Sequence, residues 1–254
     1  MNLFFKKTGA GRPLIILHGL FGMGDNWATL SRAYAEKGFE VFVPDLRNHG
    51  RSPHAAEFNY SLMAKDLSEF IALNGLTKVS LIGHSMGGKV AMYFAALFPE
   101  QIDKLIIVDI GTKYYPPHHQ SVLAAIHAVR PEELTSRKEA EAILRESLSE
   151  ESTIQFLLKN LYWNEKEKLD WRFNLESIEK NIEEVGRALP ADFHIETPSL
   201  FIAGERSGYI KVEDHAEIKK DFSTVEFAVI PDAGHWVHAE NPEDFFKVSL
   251  SFLS

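Results

Sequence analysis

Short apolar runs alternate with segments of helical period along most of this chain, and that alternation restricts the possible folds more than any other feature. Pro13–Leu17 (PLIIL), Glu40–Val43 (EVFV), Lys78–Ile82 (KVSLI), Leu105–Val108 (LIIV), Leu200–Ala203 (LFIA) and Val225–Ile230 (VEFAVI) read as strands covered on both faces. Met1–Lys7 is a candidate edge strand. Between the strands, Asn26–Lys37 stops at Gly38, Tyr60–Leu73 is followed by Gly75, and Met86–Phe98 is closed by Pro99. Pro242–Leu253 reads as the last helix. Alternation of this kind needs crossover connections, so the expected sheet is parallel with helices on both faces.

The pattern breaks once. From about Thr112 to Pro190 there is no convincing strand, and aromatics collect there: Tyr114, Tyr115, Phe156, Tyr162, Trp163, Trp171 and Phe173. Residues 112–190 are therefore expected to be a helical insertion in a core made of 1–111 and 191–254.

Composition removes several functions. With 36 acidic and 27 basic residues the formal charge is −9, against a nucleic-acid partner, which needs a basic face. The absence of cysteine excludes a disulfide scaffold, a thiol nucleophile and cysteine-ligated zinc. The first residues carry only a three-residue apolar run, Leu3-Phe4-Phe5, too short for a signal peptide. No stretch approaches the ~20 apolar residues of a membrane helix. The expected location is cytoplasmic, without a membrane partner. Nothing in the sequence sets an oligomeric state.

Three motifs carry chemistry. Gly83-His84-Ser85-Met86-Gly87 is a G-x-S-x-G that directly follows a strand pattern and directly opens a helix pattern. That is the setting of a nucleophile elbow: a strained turn exposes the serine oxygen, and glycines avoid collisions with the neighbouring strand and helix. The helix N-terminus offers free N–H groups to a developing oxyanion. His18-Gly19-Leu20-Phe21-Gly22 ends an earlier strand, where the second oxyanion donor is expected. Leu20 N–H is preferred there, with Phe21 the alternative, and Met86 N–H is the first donor. His18 is read as a structural residue bonded to local backbone.

Asp232-Ala233-Gly234-His235-Trp236 follows the last strand. A serine hydroxyl needs a general base, and His235 stands where the order Ser…acid…His places it. His238 competes three residues later. Trp236 is expected to line the pocket with Phe21, the alternative for Trp236 being packing against the last helix. The acid is open. The common position follows the penultimate strand, Gly204-Glu205-Arg206-Ser207, while Asp109 ends the apolar run LIIV, where burial of a carboxylate demands a partner. Asp109 is preferred to Glu205, and Asp214 ranks third. Asp45-Leu46-Arg47-Asn48-His49-Gly50-Arg51-Ser52 reads as a structural loop near the elbow. His118, His119 and His127 lack ligand spacing to carboxylates and read as surface histidines, so no metal site is expected.

The strings HGLFG, DLRNHGRS, GHSMGG and GHWVHAENP, in this order, resemble the α/β-hydrolases with a helical cap. DLRNHGRS with GHSMGGK and LIIVDI resembles in particular the small YbfF-type esterases. The resemblance implies an α/β-hydrolase fold: an eight-stranded, mostly parallel sheet with a cap inserted after the sixth strand. It implies cofactor-free hydrolysis of carboxylic esters, or acyl thioesters, of short to medium acyl chain through an acyl-serine. It also supports Asp109 as the acid, with Ser207 facing the substrate. C–C bond hydrolysis, a lyase reaction, a cofactor-free perhydrolase and a non-catalytic receptor share the scaffold. A dehalogenase needs Asp where Ser85 stands.

Overall fold

The structure is a computed structural model and describes residues 1–117 and 119–254. In chain order the first half reads β1 (Phe5–Gly9), β2 (Arg12–Leu17), α1 (Ala28–Ala35), β3 (Phe39–Pro44), α2 (Tyr60–Leu73), β4 (Val79–His84), α3 (Met86–Leu97) and β5 (Ile102–Val108). Then come α4 (Gln120–Ala128), α5 (Arg137–Ser147), α6 (Glu151–Leu158), β6 (Leu161–Trp163), β7 (Leu169–Trp171), α7 (Leu175–Lys180) and α8 (Ile182–Val185). The chain closes with β8 (Ser199–Gly204), α9 (His215–Asp221), β9 (Val225–Ile230), α10 (Val237–Glu240) and α11 (Pro242–Leu253).

The main sheet has the order β1-β3-β2-β4-β5-β8-β9, parallel except where β1 runs antiparallel to β3. Side chains alternate across it, as the strand period of two requires. Ile15, Leu17, Leu81 and Ile107 pack on one side with residues of α2 and α3. Leu14, Ile16, Ile82 and Ile106 pack on the other against Trp27, Tyr34 and Phe245.

Three expectations are corrected. The sheet has seven strands, not eight, and the insertion follows the fifth strand rather than a sixth. The six parallel strands match the apolar runs visible in the sequence, and β1, FKKTG, overlaps the candidate edge strand at its C-terminal end. The insertion also contains a hairpin, β6–β7, paired Leu161↔Trp171 and Trp163↔Leu169. Strands of three residues are too short to show a period of two.

The insertion is fastened to the core by buried polar contacts. Lys89, fully buried on α3, donates to the carbonyls of Thr112 (3.1 Å) and Lys113 (2.8 Å). Asn48 donates from Nδ2 to Ser177 Oγ at 2.9 Å, and its carbonyl accepts from Asn174 N–H at 2.9 Å. No helix among the described residues is long and apolar enough to cross a membrane.

Candidate active site

Ser85 occupies the single position between β4 and α3. Its N–H still continues the sheet, donating to Val108 O at 2.9 Å, while its carbonyl already accepts from Gly88 and Lys89 N–H of α3. Strand on one side and helix on the other force φ 52°, ψ −119°. A non-glycine residue there costs about 1–3 kcal/mol. The flanking glycines make the approach possible: a Cβ on Gly83 would fall 2.4 Å from Gly87 O, and one on Gly87 2.5 Å from Leu17 O.

Asp109 follows β5, next to β4 in the sheet, and is likewise at positive φ, 50°. Its N–H donates to Ile202 O at 2.8 Å, and its carboxylate is wholly buried. Three donors reach that carboxylate: His235 Nδ1–H to Oδ2 at 2.7 Å, Ser207 Oγ–H to Oδ2 at 2.5 Å, and Gly204 N–H to Oδ1 at 3.3 Å. His235 lies in the loop after β9. Its carbonyl accepts from His84 Nε2–H at 2.8 Å, and its ring stacks on Tyr209 with centroids 4.1 Å apart. With Nδ1 committed to Asp109, Nε2 is the free nitrogen.

The competing residues stand elsewhere. The carboxylate of exposed Glu205 accepts from Asp232 N–H at 3.0 Å and bonds no histidine among the described residues. Asp214 is paired with Lys113 at 2.6 Å. His238 is buried and stacked on Trp27 at 4.0 Å. Ser207, expected to face a substrate, does not border the cavity beside Ser85; its hydroxyl is turned to Asp109, because a buried carboxylate oxygen draws the nearest available donor.

The loop Gly19–Gly22 lies beside Ser85 and is braced by two histidines. His18 Nδ1–H donates to Gly19 O at 2.8 Å while Nε2 accepts from Leu46 N–H at 2.9 Å. His49 Nε2 accepts from Phe21 N–H at 3.1 Å while Nδ1–H donates to Arg47 O at 2.9 Å. Both rings therefore hold one proton. Burial pushes His18 below its ordinary range and His49 down to about 3. Phe21 N–H is thus occupied, and Gly22 N–H is bound to Gly19 O at 2.9 Å. Leu20 N–H has no acceptor among the described residues. Met86 N–H, at the first position of α3, has no carbonyl one turn behind it.

Ser85 and His235 border one cavity of about 270 Å³. Leu20, Phe21 and Trp236 line it from the core, and Val122, Phe156 and Leu157 from the insertion. Trp236 packs against Phe156 with centroids 4.3 Å apart. Of the insertion aromatics singled out in sequence, Trp163 and Tyr114 are instead exposed. His119, expected at the surface, borders the cavity, whereas His127 is exposed and paired with Glu179 at 3.1 Å; His118 lies outside the described residues. Sequence reasoning passed over His49, His84 and Tyr209. His49 and His84 stood inside strings already marked, but nothing local shows that a ring turns toward another loop.

The α/β-hydrolase-fold family model matches residues 12–130. The chain is 38% identical over 98% of its length to the sn-1-specific diacylglycerol lipase ABHD11 of Danio rerio, covering 80% of that protein. It is 37% identical to Esterase YbfF of Escherichia coli, over 95% of this chain and 93% of that one. A solved marine microorganism esterase superposes with a TM-score of 0.96 at 42% identity, covering 99% of both chains. The chain belongs to the α/β-hydrolase family.

Proposed function

We propose that this chain is a serine esterase that hydrolyses carboxylic esters through an acyl-Ser85 intermediate. The observation that carries the reading is the hydrogen bond from His235 Nδ1–H to buried Asp109, with Ser85 in its strained turn on the same cavity. The relatives named esterase and lipase point the same way.

In this mechanism Ser85 Oγ attacks the ester carbonyl as its proton passes to His235 Nε2. The oxyanion takes the N–H groups of Leu20 and Met86, which no carbonyl among the described residues has claimed. His235, its charge balanced by Asp109, then protonates the departing alcohol. Water, activated by the same nitrogen, releases the acid and restores Ser85. Apolar side chains of the insertion exclude bulk water, which strengthens the hydrogen bonds to the oxyanion. A fluorophosphonate probe tests this directly. Mass spectrometry should place the adduct on Ser85, and Ser85→Ala should abolish both labelling and ester turnover. An adduct elsewhere, or none on folded protein, overturns the reading.

The His49 brace predicts a second result. His49→Phe leaves Phe21 N–H without its acceptor and frees the loop that presents Leu20. An unsatisfied buried group costs about 1–3 kcal/mol, so kcat should fall roughly 10- to 100-fold, with KM changing less than about threefold. Steady-state kinetics beside a thermal melt decide it. An unchanged kcat in folded protein removes His49 from the oxyanion site.

A further inference from the structure

The wall of the cavity at Ser85 is apolar with one exception. Phe21 and Trp236 border it from the core, Phe156 and Leu157 from α6 of the insertion. Neither Lys nor Arg borders it among the described residues, whereas one acidic residue does, Glu150. His84 adds no positive charge there, because burial lowers it well below its ordinary range.

Glu150 stands immediately before α6, and its carbonyl accepts the first bond of that helix from Ile154 N–H at 3.1 Å. An acidic residue at a helix start is favoured by the helix dipole. Glu151 already meets that need from the next position. It pairs with Arg145 at 2.6 Å, and Glu141 takes the same guanidinium at 2.6 Å. Glu150 borders the cavity instead and pairs with no cation among the described residues. Thr153, also on the cavity wall, donates from Oγ1 to its Oε2 at 2.6 Å and steadies the carboxylate.

The rings reinforce the sign of that charge. An aromatic face is the negative side of the ring and attracts a cation within about 6 Å. Trp236 and Phe156 lie side by side, centroids 4.3 Å apart, and Phe156 belongs to the helix that Glu150 begins. We propose that the cavity selects its ester by charge: it favours an ester carrying an ammonium group over an uncharged one of the same shape, and disfavours one carrying an anion. Glu150 supplies the full charge, and the rings supply an electron-rich wall for the methyl or methylene groups around the cationic nitrogen. Acyl groups on phosphorylated carriers are poor substrates for the same reason, since their anions meet a carboxylate that no cation offsets. This rests on the serine-esterase reading above.

The test measures kcat/KM at pH 8, where histidines of ordinary pKa are neutral. Three acetates of similar size differ in charge: the acetate of choline, its uncharged analogue 3,3-dimethylbutyl acetate, and the anionic 3-acetoxypropanoate. The proteins are the wild type, Glu150→Gln, Glu150→Lys, Trp236→Leu and Ser85→Ala. Each charged ester is read as a ratio to the uncharged one in the same protein, so a general loss of activity cancels. An exposed ion pair is worth up to about fivefold, and a cation on an aromatic face about 2- to 30-fold. The wild type should therefore favour the choline ester by about 5- to 30-fold and turn over the anion at least about threefold less well than the uncharged ester. Glu150→Gln should lower the choline ratio about two- to fivefold and raise the anion ratio, and Glu150→Lys should move both further. Trp236→Leu should lower the choline ratio alone. Equal turnover of the choline and uncharged esters overturns the proposal while the esterase reading stands, and so do ratios that neither Glu150 variant moves. Absence of Ser85-dependent turnover of every ester, with no label on Ser85, overturns the esterase reading itself and the charge selection with it.

Discussion

Asp109→Asn lowers kcat by about 10³- to 10⁴-fold, the loss seen when a triad carboxylate becomes its amide. Asp109 Oδ2 now accepts from both His235 Nδ1–H and Ser207 Oγ–H. An amide nitrogen in that place would present N–H to N–H, and the imidazole would turn or change tautomer, removing the basic Nε2 from Ser85. Shape is preserved, so circular dichroism and melting temperature should change little. Glu205→Gln is the control: among the described residues that carboxylate accepts from Asp232 N–H alone, and its loss should change kcat by less than about tenfold, near 1.4 kcal/mol. A crippled Glu205→Gln beside a nearly normal Asp109→Asn would move the acid to the loop after β8.

Acid should unfold this protein well before its carboxylates titrate. His18, His49, His84 and His238 are all buried, and burial holds each below its ordinary value; His49 and His238 are pushed down to about 3. In the unfolded chain each titrates near 6.5. Below pH 6.5 the unfolded state therefore binds protons that the folded state refuses, and stability falls as pH falls. Above about pH 7.5 both states are neutral at these rings and the dependence vanishes. Between pH 7.5 and 5.5 His49 and His238 each contribute a loss of about 1.4 kcal/mol, together about 3 kcal/mol, and His18 and His84 add to it in the same direction. That is a large share of the whole stability of a marginal domain. Urea unfolding at the two pH values measures it, and a difference under about 1 kcal/mol would mean that the rings protonate in place. His238→Phe, which keeps a ring against Trp27, should flatten the slope by about one proton.

The elbow and the strands were legible because their signals are local. An elbow needs glycines where a Cβ would strike a carbonyl, and a buried strand needs an unbroken apolar run. Both demands are met within a few neighbouring residues, so Ser85 and the strand β4 could be read directly. The pairing of buried Asp109 was foreshadowed for a related reason, since a charge ending LIIV is costly without a partner. The hydrogen bond from Ser207 to Asp109 is not legible, because the place of Ser207 in the chain says nothing about the carboxylate it meets, 98 residues earlier. The hairpin Leu161–Trp171 was missed because three-residue strands carry no readable period.

The sequence by itself determined the alternation of strands and helices, the turn that exposes Ser85, and the residue types able to serve it as base and acid. Those follow from backbone sterics and from burial along a single element. Only the tertiary structure decided which carboxylate meets His235, which N–H beside Ser85 stays unclaimed, and which side chains of the insertion border the cavity at that serine. Each of these depends on side chains from loops far apart in sequence meeting across strand ends, a matter of packing that no local pattern encodes.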